Sequence, residues 1–405
     1  MIIDADSHFF EPLDWLEKAR PSLNAKLPPF DLVDMIAAAV LPGDSAMDRV
    51  PAPLRPNVID LMPGFIQPVL RRLGKQRLTE KECKQALLDT DDAEIAALGY
   101  LWRVEGAANA EERINFLNAR SIDCQLLNPS APGFHAIVRA RKTGDPVLVR
   151  DCMYAWNSWA FETLESHSNR LWATARISLN DMDSALAEMK RARKAGARGF
   201  NPGLAPVNGK SLAHPDFERV WALAEDLGLV LVMHIGMDWP DLPTGWANDG
   251  SGHLFNYFHL CKTQNQQTPE LALGALILGG VLDRHPNLPI VISEFGVSWL
   301  PHWLEIMDSY SYSLSCDFRP PGMQTLPHLP SEYVARQVFV TPLPEEQLRP
   351  TFTQVPGVMQ FATDYPHPEG SPDAMTRFDK QLIGVGSVER SDFYGERLSK
   401  LMDLH

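Results

Sequence analysis

The sequence predicts an α/β fold, a (β/α)8 TIM-type barrel. Short aliphatic runs alternate with helical patterns eight times, and several of the runs are apolar without interruption. A barrel of this kind needs roughly 250 residues, and the chain has 405. The surplus is expected in helical and loop insertions after strands one, five and six.

In chain order the expected strands are residues 1–4, 124–127, 171–176, 199–201, 229–233, 290–293, 338–340 and 358–362. The runs Leu229-Val230-Leu231-Val232-Met233 and Ile290-Val291-Ile292 read as strands covered on both faces. Between strands, Ala185, Leu186, Met189 and Ala192 recur at helical spacing, as do Phe217, Val220, Trp221 and Leu223. The stretch between strands one and two holds proline-rich, basic and acidic segments in turn. It reads as a solvated helical cap inserted at about 13–120 of a single domain spanning 1–405. Residues 238–265 interleave Pro, Gly, Asn and Trp without periodicity and read as a long loop.

Composition narrows the function. Lys and Arg total 37 against 51 Asp and Glu, a formal charge of -14. Such a surface repels phosphate backbones and anionic lipid, so nucleic acid and membrane are not expected partners. No apolar run reaches the roughly 18 residues of a membrane helix. The start, Met1-Ile2-Ile3-Asp4-Ala5-Asp6, lacks the basic and apolar regions of a signal peptide. Five cysteines without a C-x-x-C pair suit a reducing compartment. The expectation is a cytoplasmic protein acting on a small-molecule substrate, as a homodimer or in a hetero-oligomer with a related chain.

Barrels of this type place their chemistry where the strands end. Strand one runs into Asp4-Ala5-Asp6-Ser7-His8-Phe9-Phe10-Glu11-Pro12. Strand five ends in His234, strand six in Glu294, and strand eight in Asp364-Tyr365-Pro366-His367. Asp6 and His8, two residues apart, face the same side of a strand and can grip one ion together, with His234 and Asp364 closing from across the mouth. A lone strand-end histidine or aspartate usually has a structural role, but four strand ends carrying metal-competent groups point to a shared site. Burying Glu294 unpaired would cost several kcal/mol, which argues for a cation beside it. Arg176, at the end of strand three, is a candidate anchor for an anionic substrate. His253, His259 and His367 are further candidates for substrate contact, whereas His285 lies at the opposite end of the barrel and reads as structural.

The opening Asp4–Pro12 resembles the D-x-D-x-H-x-x-E-P start of the amidohydrolase-related family. That family holds metal-dependent hydrolases and decarboxylases similar to aminocarboxymuconate semialdehyde decarboxylase. Gly196-Ala197-Arg198-Gly199-Phe200, Val232-Met233-His234-Ile235-Gly236, Glu294-Phe295-Gly296 and Phe361-Ala362-Thr363-Asp364-Tyr365-Pro366-His367 resemble its fourth, fifth, sixth and eighth strands, in order. Two positions depart from the pattern: Asp6 stands where many members have histidine, and Glu294 where the decarboxylases carry the histidine that activates water.

The resemblance implies a divalent metal (zinc, or iron or manganese) and either hydrolysis of an amide- or ester-type bond or decarboxylation of a small organic acid. Asp364 and Glu294 are the expected catalytic residues. Asp6, His8, His234 and Asp364 are the expected ligands of one ion. With Glu11 and Glu294 added, the six groups bear four negative charges, which two ions would neutralise. In the one-ion arrangement Glu294 is protonated or serves as general base, and Glu11 bonds to backbone or a neighbouring cation. A dinuclear iron or manganese centre activating dioxygen, and a non-catalytic metal-binding subunit, are the alternative functions.

Overall fold

A computed structural model describes residues 1–40, 59, 66–74, 78–91, 99, 102–236, 238, 260, 262–313, 326–367 and 370–404. Seven strands form one parallel sheet in sequence order: Ile3–Phe9 (β1), Cys124–Pro129 (β2), Leu171–Arg176 (β3), Gly199–Asn201 (β4), Val230–His234 (β5), Ile290–Ser293 (β6) and Val338–Val340 (β7). Every β1–β7 residue is buried, as expected for a sheet with helices on its outer face.

The segment expected as strand eight is not a regular strand, yet it occupies that place. Val340 N donates to Val358 O (2.8 Å) and Gln360 N to Val340 O (3.0 Å) on the β7 side. On the β1 side, Ala5 N donates to Phe361 O (3.0 Å), Asp364 N to Asp6 O (2.8 Å) and His8 N to Tyr365 O (2.8 Å). The ladder is irregular for two reasons. Thr363 N is diverted to the Asp4 carboxylate (2.9 Å), and Asp364 takes a positive φ of 49° that no strand continues. The sheet thereby closes on itself.

Alternate residues fill the interior. Ile3, Ala5, Leu126, Trp172, Val230, Val232, Val291 and Phe339 share one buried cluster. Further along each strand, the same inward alternation brings Asn128, Arg176, Asn201, His234 and Ser293 to the C-terminal rim. β1 is longer than the sequence suggests, and its register shifts between Asp4 and Ser7. Such an irregularity re-aims side chains at a site; here Asp6 and His8 both reach the rim.

Helix starts follow local chemistry. Asn109 caps the helix Ala110–Arg120 by accepting from Glu112 N. Asp181 caps Met182–Lys194 by accepting from Ser184 N, and three basic residues close that helix. Between β1 and β2, the helices Leu32–Val40, Gln67–Leu73 and Glu80–Leu88 share a small core of Leu32, Met35, Val69, Leu70, Cys83 and Leu87. Buried pairs tie it to the helix Ala131–Arg141: Arg139 Nη1 to Glu80 Oε1 at 2.6 Å, and His135 Nε2 with Asp34 Oδ2 at 3.2 Å.

Candidate metal centre

His8 stands on β1 and His234 ends β5. His8 Nδ1 lies 2.9 Å from Pro129 O and His234 Nδ1 2.6 Å from Ile235 O. A carbonyl oxygen only accepts, so each Nδ1 carries the hydrogen and each neutral ring has its lone pair on Nε2. Those two Nε2 atoms face one another at 3.2 Å. Two lone pairs at that separation repel unless a cation, a proton or a metal ion, lies between them.

Asp6 Oδ1 lies 3.4 Å from His234 Nε2 and 3.9 Å from His8 Nε2. It accepts a hydrogen bond from Asn128 Nδ2 at 2.9 Å, which fixes the carboxylate's orientation. Asp6, His8 and His234 each offer a donor atom within 4.8 Å of the others, and all three residues are buried. Asp364 Oδ1 sits 3.5 Å from His8 Nε2, buried and without a hydrogen bond.

A second group overlaps the first: His8, Glu294, Asp364 and His367. Glu294 Oε1 is 3.2 Å from both His8 Nε2 and His367 Nδ1, and its Oε2 is 3.5 Å from His234 Nε2. His367 Nδ1 is 3.0 Å from Asp364 Oδ1, and its ring stacks on His8 with centroids 3.6 Å apart.

Glu294 and Asp364 both have left-handed backbones, with φ of 64° and 49°. Non-glycine residues pay about 1–3 kcal/mol each for such conformations, so the surroundings must hold them. Glu346 does this for Glu294: its carboxylate accepts from Val297 N (2.9 Å) and Ser298 N (3.0 Å), just beyond the turn. For Asp364 the hold is its backbone bond to Asp6 O.

Electrostatics follow from burial and crowding. Burial and the neighbouring Glu294 charge push Asp364 well above the usual carboxylate range, against the pull of His367. Burial also raises Asp6, opposed by His234. Burial would likewise raise Glu294, but His234 foremost, with His367 and His8, holds it well below that range. His8 is pushed down to about 3 by burial and by His367. His234 is raised despite burial, by Glu294 and Asp6. Oxygen and imidazole donors without thiolate suit zinc, manganese or iron, so the donor set fits a divalent ion.

The structure thus brings together Asp6, His8, His234, Asp364, Glu294 and His367. It does not bring Glu11 into either group. That carboxylate accepts from Ser130 N (3.2 Å), Gly133 N (3.2 Å) and Trp156 Nε1, at the N-terminus of the helix Ala131–Arg141. Its oxygens are spent on those donors, and burial pushes it up to about 8. Arg176 ends β3 at the rim, buried, with its guanidinium 5.5 Å from the Phe134 ring centroid. His253 and His259 lie outside the described residues.

Two contributors escape a reading of the sequence. Asn128 follows the expected end of strand two, and applying the strand-end rule there would have found it. Arg113, fully buried, donates to Ser7 Oγ (2.9 Å), His8 O (2.6 Å) and Gly106 O (2.7 Å). It lies beside an acidic run that reads as a wet helix face, and nothing local marks it as a strut under His8.

The family model described as amidohydrolase matches residues 3–385. Among solved structures, an amidohydrolase from Mycobacterium avium subsp. paratuberculosis is similar at 21% identity and TM-score 0.67, over 99% of this chain and 98% of that one. The 5-carboxyvanillate decarboxylase of Sphingomonas paucimobilis is similar at 17% identity and TM-score 0.59, over 100% and 99%. A Polaromonas dihydroxybenzoic acid decarboxylase, solved with manganese and 2-nitroresorcinol, is similar at 15% identity and TM-score 0.60, over 100% and 97%. At these identities the structural likenesses establish a shared fold.

Proposed function

This chain belongs to the amidohydrolase family, and from that premise we propose that it is a metal-dependent enzyme that decarboxylates a small organic acid. Hydrolysis of an amide- or ester-type bond at the same centre is the rival reaction. The observation that carries the reading is the opposition of His8 Nε2 and His234 Nε2 at 3.2 Å, with both Nδ1 atoms committed to carbonyls. The decarboxylases among the structural relatives, one holding manganese, favour loss of CO2 over hydrolysis.

Asp6, His8, His234 and Asp364 would hold the ion. When bound, a divalent ion polarises a carboxyl or carbonyl oxygen and lowers the pKa of water. His8 belongs to both donor groups, and its Nε2 has one lone pair to give, which supports one ion and disfavours the dinuclear, oxygen-activating alternative. Asn128 keeps Asp6 aimed inward. Loss of CO2 leaves an electron pair on carbon that must receive a proton. His367 Nδ1, 3.2 Å from Glu294 Oε1 and 3.0 Å from Asp364 Oδ1, holds a proton beside that position. In the hydrolytic rival Asp364 takes the proton from an attacking water.

The test incubates metal-depleted and manganese- or zinc-reconstituted protein with aromatic acids, among them 2,6-dihydroxybenzoate and 5-carboxyvanillate, and with amides and esters. CO2 release restricted to reconstituted protein is the expected result. Hydrolysis without CO2 release would favour the rival, and turnover undiminished by metal removal would sink both. Among the described residues no helix is long and apolar enough to cross a membrane. The acidic charge and the buried free thiols of Cys83, Cys124 and Cys152 support a cytoplasmic setting. The homodimer, or an assembly with a related chain, remains part of this proposal.

A further inference from the structure

Among the described residues, Arg176 is a buried cation that forms no ion pair. Its exposure is 2%, and its Nε makes no hydrogen bond. Asp238 is an anion whose charge acts on it, but that carboxylate accepts from Leu204 N at 2.5 Å and stands 3.9 Å from Arg141 Nη1. The backbone of Arg176 is firmly tied: its N–H donates to Asn157 Oδ1 (2.7 Å) and its C=O accepts from Asn157 Nδ2 (2.9 Å). A guanidinium held rigidly at its root, with a buried Nε that makes no hydrogen bond, is costly to keep unless something anionic visits it. Burial lowers its pKa only to about 10, so it is charged at neutral pH.

Its position gives it a use. Trp172, two pleats earlier on β3, lies in the barrel interior, so the same alternation turns Arg176 toward the rim on the inner side. The guanidinium is 5.5 Å from the centroid of Phe134, and that ring lies 6.3 Å from His234, inclined by only 29°. Phe134 therefore forms a flat apolar wall running from Arg176 to the metal centre. An added Cβ on Gly236, the third residue flanking this wall, would sit 3.7 Å from the Phe134 ring, in ordinary contact.

We propose that Arg176 binds a carboxylate of the substrate remote from its reacting group, with a planar apolar body lying along Phe134. The substrate class is an acid that keeps one permanent carboxylate at the far end from the bond that breaks. This rests on the reading of the metal centre given above, but it is tested without metal.

The experiment measures benzoate and benzamide binding to metal-depleted full-length protein by titration calorimetry or ligand-observed NMR. It compares the natural chain with Arg176→Met and Arg176→Lys, each checked for folding by circular dichroism. Benzoate binding weakened at least tenfold in Arg176→Met, less in Arg176→Lys, with benzamide binding poorly to all three, is the expected result. If Arg176→Met does not fold, the lysine variant decides: an affinity at least threefold weaker and more sensitive to salt is expected. Unchanged benzoate affinity in the variants, equal affinity for benzamide, or no saturable benzoate binding would each overturn the assignment. Arg176-dependent benzoate binding in a chain that takes up no divalent metal would defeat the reading of the metal centre alone.

Discussion

His8 Nε2 and His234 Nε2 point at each other across 3.2 Å, from strands on opposite sides of the barrel mouth. Neither ring can turn away without giving up its Nδ1 bond to a backbone carbonyl. The two imidazoles are therefore arranged to share a cation, and two carboxylates, Asp6 from β1 and Asp364 from the turn beside it, stand ready to complete its shell.

Glu346 acts as a positioning residue for Glu294. Glu346→Ala removes the acceptor for Val297 N and Ser298 N and leaves the turn after Glu294 unsupported. The expected outcome is a loss of about 1–3 kcal/mol in denaturant unfolding, with kcat falling more than KM changes. Gly296→Ala should do similar damage, because φ there is 70° and a Cβ would come within 2.7 Å of Glu346 Oε1.

Glu11 is predicted to matter for stability and not for metal. Glu11→Ala strands Ser130 N, Gly133 N and Trp156 Nε1, at a cost of about 2–5 kcal/mol, with metal content per folded chain unchanged. Burial raises this carboxyl from an ordinary 4.5 to about 8, so between those values the folded state binds more protons than the unfolded one. Glu11 should therefore make stability fall as pH rises from about 4.5 to about 8. Urea unfolding of the natural chain and Glu11→Gln across that range checks the sign: the variant should show the shallower decline.

His285 separates structural from functional histidines. It is buried and paired with Glu218 (2.9 Å) and Glu225 (3.1 Å), away from the rim. His285→Ala should lower stability by about 1–3 kcal/mol while leaving metal content and turnover of the folded protein as they were.

Arg113 links the segment before β2 to the site. Arg113→Met keeps much of the apolar stem but frees Ser7 Oγ and the His8 carbonyl. Stability should fall by about 3–5 kcal/mol, and residual folded protein should bind metal more weakly because β1 loses its backing.

The barrel was legible because its buried strands are aliphatic in sequence, and because chemistry concentrates at strand ends. That rule singles out Asp6, His8, His234, Glu294 and Asp364, which the structure brings together, with Asp6 3.4 Å from His234. Spacing could not show that Glu11 turns away to a helix N-terminus, since that depends on where β2 delivers Ser130. The eighth strand reads as an aliphatic run, yet the Asp4 carboxylate captures Thr363 N and breaks its ladder. His367 reads in the sequence as a partner of a ligand or a substrate contact, and its stacking on His8 was not legible because the turn that folds it back is a matter of backbone geometry.

The most direct test of the shared cation is the metal content of the natural chain and of His234→Ala, each grown with manganese, iron and zinc available and measured by mass spectrometry of the purified protein. One divalent ion per natural chain, falling below a tenth in folded His234→Ala, is the result this arrangement predicts. Full occupancy in His234→Ala, or a natural chain that neither retains a divalent ion nor takes one up on titration, would contradict it.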